Sequence, residues 1–200
     1  MNVLIIYAHP NPSSFNHAVL EQMKLGFIEG NHNIQVIDLY KENYNPVLNF
    51  NDVNSRSDQE NTPYLKVYQN YIMEAQHLVF LYPVWWYSMP AILKGFLDRV
   101  FSPGFAYSKK GKLSRGLLQG KTSWVVYTID SPVWFVKLFR KSIEWRLMKT
   151  AILKYCGISS VKRIMFANAT NSTPQKREKW LLHIYDKARK FKSYAMKKGD

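Results

Sequence analysis

Short apolar, β-branched runs alternate along the chain with longer stretches in which apolar residues return every three or four positions. This is the sequence form of repeated strand–helix–strand units around a parallel sheet. The runs predict strands at Val3–Tyr7, Ile34–Leu39, His77–Tyr82, Thr122–Tyr127 and Val161–Ala167. The amphipathic stretches predict helices over Phe15–Glu29, closed by the Gly30–Asn31 turn, and over Tyr64–Glu74, Ala91–Phe101, Phe135–Tyr155 and Pro174–Met196. In the last of these, Leu181, Ile184, Tyr185, Ala188 and Phe191 fall on one face and the lysines on the other. No repeat, low-complexity tract or linker interrupts the pattern, and 200 residues is the size of one domain, so a single α/β unit over 1–200 is expected. The polar connection from Asn43 to Thr62 is long enough to serve or cover a site.

Charge adds a second pattern. Residues 1–108 hold 6 Lys/Arg against 9 Asp/Glu, net −3, whereas residues 109–200 hold 22 against 5, net +17. A basic half attracts phosphorylated small molecules, nucleic acid or an anionic membrane surface, or is a solvated helix face. No helix-turn-helix, zinc spacing or aromatic RNA-binding signature accompanies it, so no nucleic-acid partner is expected. His17, His32, His77 and His183 are scattered away from any ligand spacing, and no metal is expected. Cys156 has no disulfide partner and precedes Gly157 at an expected helix end, which reads as a small buried thiol. No apolar run reaches the roughly 18–20 residues of a membrane span, and the chain opens on a strand without a leader, so a cytoplasmic protein without membrane insertion is expected.

Two strand-end loops carry candidate chemistry. The first is Ala8-His9-Pro10-Asn11-Pro12-Ser13-Ser14-Phe15-Asn16, at the carboxyl end of the first strand, where a helix N-terminus offers free N–H groups to a phosphate. Neither a Gly-x-Gly-x-x-Gly nor a Walker-type loop is present, which removes support for Rossmann dinucleotide binding and P-loop ATPase activity. The same residues also fit a plain cap by Ser14 and a His9 that plugs the sheet edge. The second loop places Trp85-Trp86-Tyr87 between the third strand and Pro90. Aromatic rings there suit a planar ligand with apolar faces and a polar edge, such as an isoalloxazine, while a core or dimer-interface role stays open.

His9-Pro10 followed by Ser14-Phe15-Asn16 resembles the phosphate loop of the NAD(P)H dehydrogenase (quinone) family with a flavodoxin-like fold. Asp38-Leu39-Tyr40, Tyr44-Asn45-Pro46-Val47 with Asp52, the run Tyr82 to Phe101, Gly104-Phe105-Ala106-Tyr107 and Cys156-Gly157 are similar to the same family in the same order. The resemblance implies a three-layer α/β/α flavodoxin-like domain with sheet order 2-1-3-4-5 and a flavin-dependent NAD(P)H oxidoreductase. It would transfer two electrons to quinone-like acceptors by a ping-pong route. FAD is favoured over FMN, NADH or NADPH is the donor, and a homodimer is implied, with Tyr44–Asp52 and the 104–107 hairpin covering the partner's flavin. Expected cofactor contacts are His9, Ser14, Phe15 and Asn16, then Pro83, Val84, Trp85, Trp86 and Tyr87, then Thr128, Ile129, Asp130 and Ser131.

Two departures stand out. Where the family has two threonines and then glycines, this chain has Thr128-Ile129-Asp130-Ser131-Pro132, and Asp130 is expected to point away and cap a turn. Mammalian-type members carry a tyrosine and a histidine after this loop, and Pro132 to Glu144 holds neither, so no catalytic acid–base residue is assigned. Alternative roles are an electron-carrier flavodoxin and a nicotinamide-sensing regulatory subunit. The first lacks its usual acidic docking surface and Ser/Thr/Gly loop here.

Overall fold

The computed structural model describes residues 1–50, 62–108 and 114–192. Five parallel strands form one sheet: β1 (Asn2–Tyr7), β2 (Asn33–Asp38), β3 (His77–Pro83), β6 (Thr122–Ile129) and β7 (Ser160–Ala167), in the order β2-β1-β3-β6-β7. This is the expected 2-1-3-4-5 order. Two short antiparallel strands, β4 (Tyr107–Ser108) and β5 (Arg115–Gly116), make a separate ribbon. The sheet register pairs Val3 with His77 and His77 with Thr122, so the strands begin together and their carboxyl ends gather at one edge.

Period-2 alternation sorts the strand residues onto two faces. Leu4, Ile6, Leu78, Phe80, Tyr82, Val125 and Tyr127 point to one side, where α2 (Pro63–Glu74) supplies Leu65 and Ile72 and α3 (Ala91–Val100) supplies Leu93, Phe96 and Val100. Val3, Ile5, Tyr7, Val79, Leu81, Trp124 and Val126 point to the other, against α1 (Phe15–Glu29) with Val19, Met23 and Phe27 and α6 (Pro174–Arg189) with Ile184 and Ala188. The result is the three-layer α/β/α sandwich. Gly26 lets α1 lie directly on the backbone of α6, since a Cβ there would meet the Tyr185 carbonyl.

The predicted helix Phe135–Tyr155 is not one helix. It is α4 (Val133–Leu138), α5 (Ile143–Arg146) and a π-helical stretch, Leu147–Lys154, separated by Lys141 and Ser142 in left-handed conformation. The cause lies in the spacing of the buried positions. Met148 and Leu153 are both buried, and five residues apart on an α-helix they would diverge by about 140°. The wider π turn returns them to one side. Arg163 further fixes the reversal by donating to Ser142 Oγ at 3.1 Å. The last helix also ends earlier than expected, at Arg189, and Phe191 folds back onto His77 with ring centroids 4.3 Å apart. Cys156 is buried, its thiol pushed up to about 11 by desolvation, and Gly157 (φ +96°) turns the chain into β7. Among the described residues no helix is long and apolar enough to cross a membrane.

Candidate functional site

The carboxyl ends of β1, β3 and β6 converge, tied by Ala8 N–H to the Leu81 carbonyl (3.0 Å) and Val84 N–H to the Thr128 carbonyl (2.8 Å). All three predicted loops therefore meet. In the first, Asn11 stiffens the turn: its N–H donates to His9 Nδ1 at 3.0 Å and its side-chain oxygen accepts from Ser13 N–H at 2.8 Å. Burial holds the His9 ring below the ordinary histidine range, so it is a neutral group at neutral pH. Ser14 Oγ caps α1 by accepting from His17 N–H at 3.1 Å. The N–H groups of Phe15 and Asn16 lie in the first turn and have no helical acceptor.

Asn16 is only 3% exposed and joins two of the loops, its Nδ2 donating to Thr128 Oγ1 at 2.8 Å. Its Oδ1 is buried without a partner. An unsatisfied buried acceptor beside free N–H donors suits a ligand that offers both hydroxyl donors and an anion, as the ribityl phosphate of a flavin does. Phe15 is held edge-on by Phe166 (5.6 Å) and against Trp180 (5.8 Å), which makes it a wall of the loop.

The second loop is a tight turn. Trp85 and Ser88 exchange N–H···O bonds of 3.0 and 2.9 Å around Trp86 (φ +50°) and Tyr87 (φ +55°). Turns with both central residues left-handed ordinarily take Asn-Gly, and bulky side chains there cost of order 1–3 kcal/mol each. Trp86 is nonetheless 99% exposed and packs on nothing. The turn's own bonds leave the N–H groups of Trp86 and Tyr87 unused. Tyr87 Oη and Ser131 Oγ are 3.0 Å apart, which couples this loop to the third. Pro83 and Ile129 are buried beneath, Val84 is half-buried, and Trp85 is exposed toward His9 at 6.3 Å between rings.

Asp130 does point away, but it caps the loop after β7 rather than its own: Oδ1 accepts from Thr170 N–H (3.1 Å) and Thr170 Oγ1 (2.5 Å). Its carboxylate is thereby committed outside the loop cluster. Sequence reasoning missed Glu144, which is buried behind β6 and accepts from Tyr127 Oη at 2.8 Å with Arg163 at 3.9 Å. Burial pushes the Tyr127 phenol well above its usual range, so Tyr127 stays a donor and supports the strand that carries Thr128. A lone acidic residue in a basic stretch was the available signal.

Of the segments expected to cover a partner's site, Asp52 lies outside the described residues, as do Lys109, Lys110 and Lys112 at the start of the basic half. The Tyr44 ring belongs to the chain's own core, packed by Tyr64, Tyr68 and Phe96, whereas Val47 and Phe50 are exposed. Beside the first loop, a cavity of ≈ 500 Å³ is lined by Tyr7, His9, Pro10, His17, Tyr40 and Lys41. Another, of ≈ 560 Å³, lies at the opposite edge of the sheet around Trp124 and Lys187, away from all three loops.

A doubly wound sheet in this order, with its loops gathered at the strand ends, defines the flavodoxin-like class. The chain belongs to the Flavodoxin_2 family, described by its flavodoxin-like fold, and the match covers residues 1–188. It is 36% identical over 171 residues to an uncharacterized NAD(P)H oxidoreductase of Haemophilus influenzae, covering 84% of each chain. Its fold is similar to the crystal structure of Smu.1420 from Streptococcus mutans (TM-score 0.89, 37% identity, 96% and 100% of the two chains). It is also similar to the NAD(P)H:quinone oxidoreductase of Methanothermobacter marburgensis (TM-score 0.82, 27% identity, 94% and 96% of the two chains).

Proposed function

We propose that this protein is a cytoplasmic NAD(P)H oxidoreductase with a resident flavin that passes two electrons to quinone-like acceptors by a ping-pong route. One observation carries the reading: Asn16, buried with an orphaned acceptor, locks the phosphate-type loop to the loop after β6. The names of the H. influenzae and M. marburgensis relatives support it. When bound, the flavin supplies hydride acceptance and release. The chain's residues do the rest: N–H groups of Phe15 and Asn16 hold the phosphate, with Ser14 and His9 shaping the loop. Backbone groups from Pro83 to Tyr87 would hold one edge of the ring and Thr128 to Ser131 the other. Trp85 and Tyr87 would flank it, and Trp86, which stands in solvent, would close over it only with a ligand or partner subunit in place.

FAD is the favoured cofactor, because the ≈ 500 Å³ cavity beside His9 and Pro10 offers room for an adenosine half. A homodimer completes the site, with the exposed Val47–Phe50 end of the long connection and the 104–107 hairpin covering the partner's flavin. Steady-state kinetics with NADH or NADPH and a water-soluble quinone test the route. Parallel double-reciprocal lines are expected, and intersecting lines would contradict one shared slot.

A further inference from the structure

The face built by α4 and the reversal after it has no partner in the chain. Only Val136 of α4 is buried. Trp134, Phe135 and Phe139 form one aromatic ladder, with ring centroids 5.8, 6.0 and 5.4 Å apart, and Leu138 and Phe139 are 70% and 68% exposed. Ile143 is exposed as well. Scattered single apolar residues are normal on a surface, but a contiguous group of this kind marks an interaction face. Cations sit among the apolar residues: Lys137, Arg140, Lys141 and Arg146 are all exposed. The only acid between residues 131 and 163 is Glu144, which is buried on Tyr127. Arg140 stacks over Tyr87 (4.7 Å) and Phe135 (5.5 Å), so the face runs on to the turn that presents Trp86.

We propose that this face docks peripherally on an anionic bilayer surface. Exposed Trp, Phe and Leu enter the headgroup boundary, and interleaved Lys and Arg are drawn to anionic lipid. Charge opposes a second copy seated with this face against the same face, because the cations would then cluster with the one acid of the stretch, Glu144, buried. The homodimer proposed above uses other segments, the 47–50 end of the long connection and the 104–107 hairpin. Nucleic acid would engage the cations but leave Leu138 and Ile143 without a role. Docking turns the rim of the site toward the membrane.

Flotation of the full chain with phosphatidylcholine vesicles, and with vesicles containing one quarter phosphatidylglycerol, tests this. Binding to the anionic vesicles alone is expected, with a blue shift of tryptophan emission. Lys137→Gln/Lys141→Gln should weaken partitioning about 30-fold, from the attraction of two cations near an anionic surface. Leu138→Glu/Phe139→Glu should abolish it while leaving the solution mass unchanged. Three results overturn the proposal: no flotation of the wild type, unaltered flotation of either variant, or a fall in the mass of the Leu138/Phe139 variant, which would assign the face to a second copy. The assay uses neither nicotinamide nor acceptor, so it stands or falls apart from the oxidoreductase reading.

Discussion

Asn16→Ala separates the structural from the ligand-binding work of the residue that joins two loops. The substitution removes the 2.8 Å bond to Thr128 Oγ1 and leaves that hydroxyl, on an almost buried residue, without its partner. Such a loss costs about 1–3 kcal/mol. For a domain of this size that is roughly 3–10 °C in Tm, measured by differential scanning fluorimetry on flavin-stripped protein. The variant also removes Oδ1, the orphaned acceptor offered to a ribityl hydroxyl. Leaving that hydroxyl unanswered in a buried site weakens flavin binding about ten- to a hundredfold, read by fluorescence quenching on titration with FAD and FMN. A variant that melts early yet binds flavin with wild-type affinity would make Asn16 a structural residue only. An unchanged Tm would show that the Thr128 bond contributes nothing.

Three further outcomes are expected. Trp86→Asn keeps the left-handed backbone at lower cost and removes no packing, so it should raise Tm by about 2 °C, for roughly 1 kcal/mol or less; a lower Tm would contradict the strained turn. Burial among Phe191, Trp124 and Phe27 pushes His77 down to about 3, so the unfolded chain binds its proton first as pH falls below about 6.5. Stability from this residue is therefore complete above that pH and is lost progressively toward pH 3. His77→Phe should flatten this acid limb in melts at pH 4–7, and an identical limb would refute it. Finally, if the basic half speeds encounter with phosphorylated nicotinamide, stopped-flow reduction by NADPH should slow severalfold between about 50 and 300 mM salt. A flat dependence together with tight nucleic-acid binding would reverse that assignment.

The sheet was legible because its signals are local. β-branched runs bounded by turns mark each strand to within a residue or two at its start, and Ser14 and Gly30 bracket α1 with a cap and a turn. The loops of the site were legible for the same reason. What escaped depends on partners distant in sequence. Asp130 finds Thr170 forty residues on, and Glu144 finds Tyr127 across the sheet–helix boundary, which periodicity does not encode. The break at Lys141–Ser142 contains no Gly or Pro to announce it and follows from how the buried positions must reach the sheet. Tyr44 was expected to help cover a partner's flavin, and its place in the chain's own core depends on a cage of Tyr64, Tyr68 and Phe96 that nothing in its neighbours foretells.

The central claim is a resident flavin reduced by nicotinamide. The visible absorbance spectrum of the purified protein, recorded anaerobically before and after NADH or NADPH, measures it directly. The visible absorbance of an oxidised flavin, bleached on addition of nicotinamide, is the expected result. A protein that stays colourless even after incubation with FAD and FMN would contradict it.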